Sequence, residues 1–128
     1  MKIIFEKNDI LLYKNKVHWR QENLDQKKIC PRFEKALKIL NHSWNTLLIY
    51  QLLEGPQRYS TIKNKVGISS RVLTERLKEL EIENIVERTV IPSTPVVIEY
   101  NLTEKGNALA PVLKAIEQWS YMWMNIEK

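Results

Sequence analysis

The stretch that most constrains this chain runs from Arg58 to Tyr100, RYSTIKNKVGISSRVLTERLKELEIENIVERTVIPSTPVVIEY. Tyr59–Val66 reads as a short helix with Ile62 and Val66 facing inward. Val66-Gly67-Ile68-Ser69 makes a tight turn, in which Gly67 supplies backbone freedom and Ile68 plugs the core. Ser69 or Ser70 then caps a longer helix, Arg71–Ile82. Its apolar residues are Val72, Leu73, Leu77, Leu80 and Ile82, and its other face shows Arg71, Thr74, Glu75 and Lys78. Ile85–Val90 and Val96–Leu102 are rich in β-branched residues and read as two strands. The loop between them, Ile91-Pro92-Ser93-Thr94-Pro95, is stiffened by two prolines that cannot join a sheet ladder. Helix, turn, helix and hairpin in this order predict an α+β fold, mainly α: a winged helix-turn-helix.

Charge follows the same segment. Residues 57–78 carry six basic side chains (Arg58, Lys63, Lys65, Arg71, Arg76, Lys78) against one acid, Glu75, so their net charge of +5 equals that of the whole chain. A pI above neutrality is weak evidence of a nucleic-acid partner, but cations gathered on one element are what phosphate neutralisation needs. The sequence therefore points to double-stranded DNA as the partner.

The remaining chain frames this segment. Pro31 opens a helix whose stripe is Phe33, Ala36, Leu37 and Leu40. Ser43 is the expected N-cap of a mostly buried helix, Trp44–Leu53, ended by Gly55-Pro56. Thr103 should cap a last helix, Glu104–Ile126, which Pro111 kinks or divides. Leu109, Val112, Ile116, Trp119 and Trp123 follow helical spacing there, and Ala108, Ala115, Met122 and Ile126 add a second stripe. One small domain cannot cover both stripes, so a second subunit is expected to pack on them. The expected organisation is an arm at 1–29, the DNA-binding domain at 30–103, and a C-terminal dimerisation helix at 104–128. Within the arm, Lys2–Glu6 suggests a strand and Val17–Lys28 an exposed helix.

Composition narrows the remaining classes. With 128 residues, 44% of them hydrophobic, the chain can build one core. No apolar run approaches the roughly 20 residues that span a bilayer, and the charged N-terminus lacks a signal peptide's apolar centre. A cytoplasmic protein with no membrane partner is the expectation. One cysteine excludes an internal disulfide, and two separate histidines with one cysteine make no convincing metal site. There is no glycine-rich phosphate loop, nucleophile motif or placed carboxylate pair, so neither a catalytic role nor a cofactor is expected.

Several short motifs, in a shared order, resemble the HxlR family of bacterial winged-helix transcriptional regulators. They are Cys30-Pro31 at a helix start, Trp44 starting the next, and Gly55-Pro56 followed by Arg58-Tyr59-Ser60. Gly67-Ile68-Ser69 and the run Leu73-Thr74-Glu75-Arg76-Leu77-Lys78-Glu79-Leu80 follow. Pro95, Glu99-Tyr100-Asn101-Leu102-Thr103, Gly106 and Trp119 complete the set. The resemblance covers about residues 30–123. It implies a homodimer that clasps DNA with two recognition helices and two wings, joined through N- and C-terminal helices, and acting as repressor or activator. It also implies that a thiol at Cys30 can sense an oxidant or electrophile, or that another small-molecule effector is sensed. The chain departs from the family's Gly-Gly-Lys run before the tryptophan, having Asn41-His42-Ser43 there, and its segment before Cys30 is long.

The expected DNA contacts are Arg58, Tyr59, Ser69, Ser70, Arg71, Thr74, Glu75, Lys78, Arg88, Ser93 and Thr94. Arg71 and Lys78 lie seven residues apart and point the same way, with Thr74 between them. Glu75 would repel phosphate but can accept from a cytosine amino group. Ser69 and Ser70 can offer backbone N–H groups to a phosphate. Arg76 is expected to turn toward glutamates of its own helix. The wing tip has no lysine or arginine, so its contacts should be weak or made by hydroxyls. Cys30, just ahead of a helix start and near Lys27, Lys28 and Arg32, sits where positive charge favours a thiolate, although cysteine is often only a small buried residue. An alternative reading is a winged-helix adaptor that binds protein and no DNA.

Overall fold

A computed structural model describes residues 29–126; the strand and helix expected within residues 1–28 lie outside them. Two compact units divide the chain, Met1–Ile39 and Leu40–Lys128. The elements in chain order are α1 (Pro31–Asn41), α2 (Asn45–Leu52), β1 (Gln57–Arg58), α3 (Tyr59–Val66), α4 (Ser70–Ile82), β2 (Val86–Ile91), β3 (Val97–Leu102), α5 (Glu104–Asn107) and α6 (Ala110–Trp123). Among the described residues no helix is long and apolar enough to cross a membrane.

The core of the second unit is built by helical spacing. Leu48, Ile49 and Leu52 of α2 meet Ile62 of α3, Ile68 of the turn, and Leu73, Leu77 and Leu80 of α4 as buried residues. Ile85, Val86 and Leu102 add the base of the hairpin, and Leu113 is the residue α6 buries. Gly67 ends α3 at φ 75°, where a side chain would be strained, and its N–H closes on the Lys63 carbonyl at 2.9 Å. Ser69 caps α4, its hydroxyl accepting from the Val72 N–H at 3.3 Å.

The hairpin strands pair antiparallel from Val86 with Leu102 to Ile91 with Val97. A third strand escaped sequence reading. Gln57 pairs with Tyr100 and Arg58 with Glu99, placing β1 on the other side of β3 in the order β1-β3-β2. Two polar residues give no strand signal of their own; their backbone pairing alone makes the strand.

Three further expectations need correction. Ser43 does not cap α2. The residue before the helix is Trp44, at φ 75° with no side-chain cap bond, and the corner is closed by the Asn45 N–H donating to the His42 carbonyl at 3.1 Å. Trp44 thus takes the third place of a four-residue turn, the place that asks for positive φ. The terminal helix divides near Pro111, one of the two outcomes expected there, but it ends short of Ile126. It breaks after Asn107 and restarts at Ala110, with Pro111 in the first turn, where a missing N–H costs nothing. It then ends at Trp123, because Met124 is extended, so Ile126 falls outside it. Finally, Ile82 is 71% exposed; the chain turns at Glu83 and Asn84, and Ile85 takes the inward place instead.

Thr103 does cap α5, accepting from the Gly106 N–H at 3.1 Å while its own hydroxyl donates to the Asn84 carbonyl. Gly106 lies so close to the hairpin that a Cβ there would stand 2.3 Å from the Ile85 carbonyl oxygen. The same site thus excludes any side chain at residue 106 and ties the C-terminal segment to the strand base.

Candidate nucleic-acid interface

Leu73, Leu77 and Leu80 turn one face of α4 into the core, so its opposite face is left to solvent. Ser69, Ser70, Arg71, Thr74, Glu75 and Lys78 are all exposed there. Arg71 is 89% exposed at its side chain, and its Nε lies 3.5 Å from Glu75 Oε1, one turn on. In so exposed a setting this pair holds Arg71 only loosely, contributing about 0.3–0.5 kcal/mol, and leaves its other donors free.

The cations of residues 57–78 do not all share this face. Lys65 Nζ pairs with Glu54 at 3.1 Å. Arg76, 17% exposed at its side chain, donates through Nε to the Ser43 carbonyl at 2.9 Å and reaches Glu79 at 3.4 Å. Its expected glutamate partner on its own helix is there, while the bond to Ser43 had no sequence signal. Glu79 also accepts from His42 Nδ1, at 2.8 and 2.9 Å. Lys65 and Arg76 are therefore engaged away from this face, and the charge read from sequence overstates what the face presents.

Tyr59, counted among the expected DNA contacts, is half-buried, and its hydroxyl bonds to the Ser70 carbonyl at 2.8 Å and Thr74 Oγ1 at 3.0 Å. Thr74 Oγ1 in turn lies 2.8 Å from the same carbonyl. These bonds join the start of α3 to the first turns of α4. Arg58 is exposed on β1, opposite Glu99 of β3. Arg88 is exposed on β2, opposite Tyr100. Ser93 and Thr94 are exposed in the loop, but the Ser93 hydroxyl donates to the Pro95 carbonyl at 2.6 Å. Val90 and Val96 are exposed beside them, so the wing tip is apolar and hydroxylic without charge.

On α6 the expected interface stripe separates into two parts. Leu109 is half-buried, while Val112, Ile116, Trp119 and Trp123 are exposed, Ile116 by 52% and Trp119 by 54%. Leu47 and Tyr50 of α2 are exposed apolar residues as well. Tyr50 donates its hydroxyl to Glu117 of α6, and the two line an open cleft of about 190 Å³ with Leu53, Glu54 and Lys114. The bond to Glu117 is the main cause that raises the Tyr50 pKa above the ordinary tyrosine value, with slight desolvation adding to it. Cys30 is a free, half-buried thiol one residue before α1, and its carbonyl accepts from the Glu34 N–H at 3.0 Å.

Known proteins share this arrangement. The HxlR-like helix-turn-helix family model matches residues 39–128. The uncharacterized HTH-type transcriptional regulator YvaP of Bacillus subtilis is 53% identical over 103 residues, covering 80% of this chain and 95% of that protein. The reduced form of the transcriptional regulator YodB from B. subtilis superposes with a TM-score of 0.69 at 42% identity, covering 78% of this chain and 99% of that one. YodB has also been solved diamide-treated and quinone-bound, with TM-scores of 0.64 and 0.65 at 43% identity, over 77% and 74% of this chain and 98% and 100% of the other. The redox regulator HypR in its oxidized form matches with a TM-score of 0.69 at 32% identity, covering 76% of this chain and all of that one. A family match over most of the chain, together with relatives of this identity and coverage, establishes that the chain belongs to the HxlR-like helix-turn-helix family of transcriptional regulators.

Proposed function

We propose that this DNA-binding transcriptional regulator acts as a homodimer on a near-palindromic operator, each subunit laying the exposed face of α4 in the major groove. The observation that carries the reading is that face itself. Arg71, Thr74 and Lys78 stand exposed on one side of a helix whose other side is buried, and its N-terminus carries two serines. Arg71 suits a base edge such as guanine, and Lys78 suits a phosphate. The capped start of α4 offers free N–H groups to another phosphate. Arg58 and Arg88 are further candidates for backbone contact, and Thr94 for a weaker one through its hydroxyl. Tyr59 serves by holding Ser70 and Thr74 in place rather than by touching DNA.

The uncovered apolar side chains of α6 support dimerisation. Val112, Ile116, Trp119 and Trp123 on one helix are more than a solitary small domain leaves in water. A two-fold pair would set two copies of α4 about one helical turn apart on DNA. The effector reading is a thiol response at Cys30. It is supported by the free cysteine at a helix start and by the likeness to the redox regulator HypR and to YodB, which has been solved diamide-treated and quinone-bound. As a regulator that reads DNA, it would work in the cytoplasm.

Selecting bound duplexes from a fragmented source genome, followed by a gel shift on the selected duplex and on random DNA across a salt series, tests the reading. A palindromic consensus and affinity that falls as salt rises are expected. Absence of binding to any duplex would leave a protein-binding adaptor in its place.

A further inference from the structure

The reading above explains the outward face of α4 but not the polar cluster on its flank. Arg76 and Glu79 do not point to solvent alone. They reach across to the corner between α1 and α2, which lies 33 to 37 residues earlier in the chain. Arg76 Nε donates to the Ser43 carbonyl at 2.9 Å, and Arg76 Nη1 donates to Glu79 at 3.4 Å. His42 Nδ1 donates to both carboxylate oxygens of Glu79, since a carboxylate can only accept. Two side chains of α4 therefore grip two consecutive residues of one corner. The next residue, Trp44, stands at φ 75°, a backbone state that a bulky residue keeps only when its surroundings impose it. This corner is also where Asn41-His42-Ser43 replaces the glycine-rich run of the family pattern, and glycine has no side chain to reach Glu79.

We infer that His42, Arg76 and Glu79 are positioning residues for DNA recognition: a polar strut that fixes the roll and height of the recognition helix against the α1–α2 corner. The physical reason lies in what the core cannot do. Leu73, Leu77 and Leu80 hold α4 by contacts that have no direction, so they set its distance from the core but resist rolling weakly. Base edges must be met within roughly 0.5 Å and 10–20°. Directional bonds supply that precision. The Tyr59–Ser70 bond holds the first turn of α4, and the strut holds its middle. Arg76 then belongs to the protein's interior framework and adds nothing to phosphate neutralisation, although it sits in the most cationic segment of the chain.

The inference rests on the proposed function, and one variant separates the two. Glu79→Leu removes an acid beside a DNA-binding face and leaves no side-chain acceptor for His42 or Arg76. By charge alone that change strengthens binding to every duplex. A broken strut predicts the opposite for the selected operator. In the full-length protein, operator affinity should fall at least tenfold while affinity for a random duplex of equal length holds or rises. Thermal unfolding run in parallel shows that the variant is folded at the assay temperature. Arg76→Gln gives the second arm. A positioning role lowers operator affinity and leaves the salt slope unchanged, whereas a phosphate contact lowers both affinities and reduces the slope by about one. An unchanged operator-to-random ratio in folded Glu79→Leu, or a reduced slope in Arg76→Gln, would overturn the strut. Wild-type protein that shows no operator preference would instead remove the proposed function.

Discussion

The hydroxyl of Tyr59, the first residue of α3, bonds to the main-chain carbonyl of Ser70, the first residue of α4, at 2.8 Å. The two helices of the helix-turn-helix are thereby pinned at their starts, on the side where a recognition helix meets DNA. Tyr59→Phe removes that bond and the one to Thr74. It should lower stability by about 0.5–1.5 kcal/mol, read as a fall in Tm, and weaken operator binding with no change in salt slope. A Tm equal to wild type alongside reduced affinity would return Tyr59 to the list of direct DNA contacts.

Arg71 and Lys78 should behave differently from one another. Arg71→Ala is expected to cost about 1–3 kcal/mol of operator affinity and to relax the preference at one base position per half-site. Lys78→Ala should weaken operator and random DNA alike and reduce the salt slope by about one. Titrations of both variants on both duplexes, at several salt concentrations, check the division of roles.

Trp119→Glu and Ile116→Glu place a charge on the exposed stripe of α6, away from Leu113 and the core. Each should turn a dimer into a monomer in sedimentation velocity, with Tm little altered at low concentration. Operator affinity should fall steeply because a single subunit holds only one half-site. A wild-type protein that sediments as a monomer at micromolar concentration contradicts the interface.

Cys30 is accessible enough to be tested by chemistry. Diamide should reduce operator affinity of the wild type and leave Cys30→Ser unaffected, with thiol modification followed by mass spectrometry. Full modification of Cys30 with unaltered DNA affinity would end the thiol-sensing reading.

Tyr50 offers a pH test. Its bond to Glu117 raises its pKa, so folding favours the neutral hydroxyl. That contribution is present below the ordinary tyrosine value of about 10 and is lost as pH rises through the raised one. In a spectrophotometric titration of the folded protein, Tyr50 should ionise at higher pH in wild type than in Glu117→Gln. Identical tyrosinate curves for the two proteins would show that the pair does not persist in solution.

Much of this fold was legible because its signals are local. The run from Ile62 to Leu80 alternates apolar and polar residues at helical spacing, Gly67 marks the turn, and Ser69 marks the cap; all three emerge where expected. Capping at Thr103 was equally plain. What sequence hid was set by distant partners. Gln57 and Arg58 are a strand only because Tyr100 and Glu99 lie beside them. Ser43 has a capping side chain, yet its carbonyl is taken by Arg76 and the helix start falls to Trp44. The six-cation count treated charges as a sum, while Lys65 and Arg76 had acidic partners outside the counted window, Glu54 and Glu79.

The uncharged tip of the hairpin carries a physiological corollary. From Thr89 to Ile98 no side chain ionises. On the proposed reading, a cell that accumulates potassium after osmotic upshift would loosen the phosphate contact of Lys78, because that hold depends on displaced counterions. Any hold exerted by Val90, Thr94 or Val96 displaces none and persists through the upshift. Such a regulator would keep a residual, shape-dependent footing on its promoter while its sequence-reading helix is partly released.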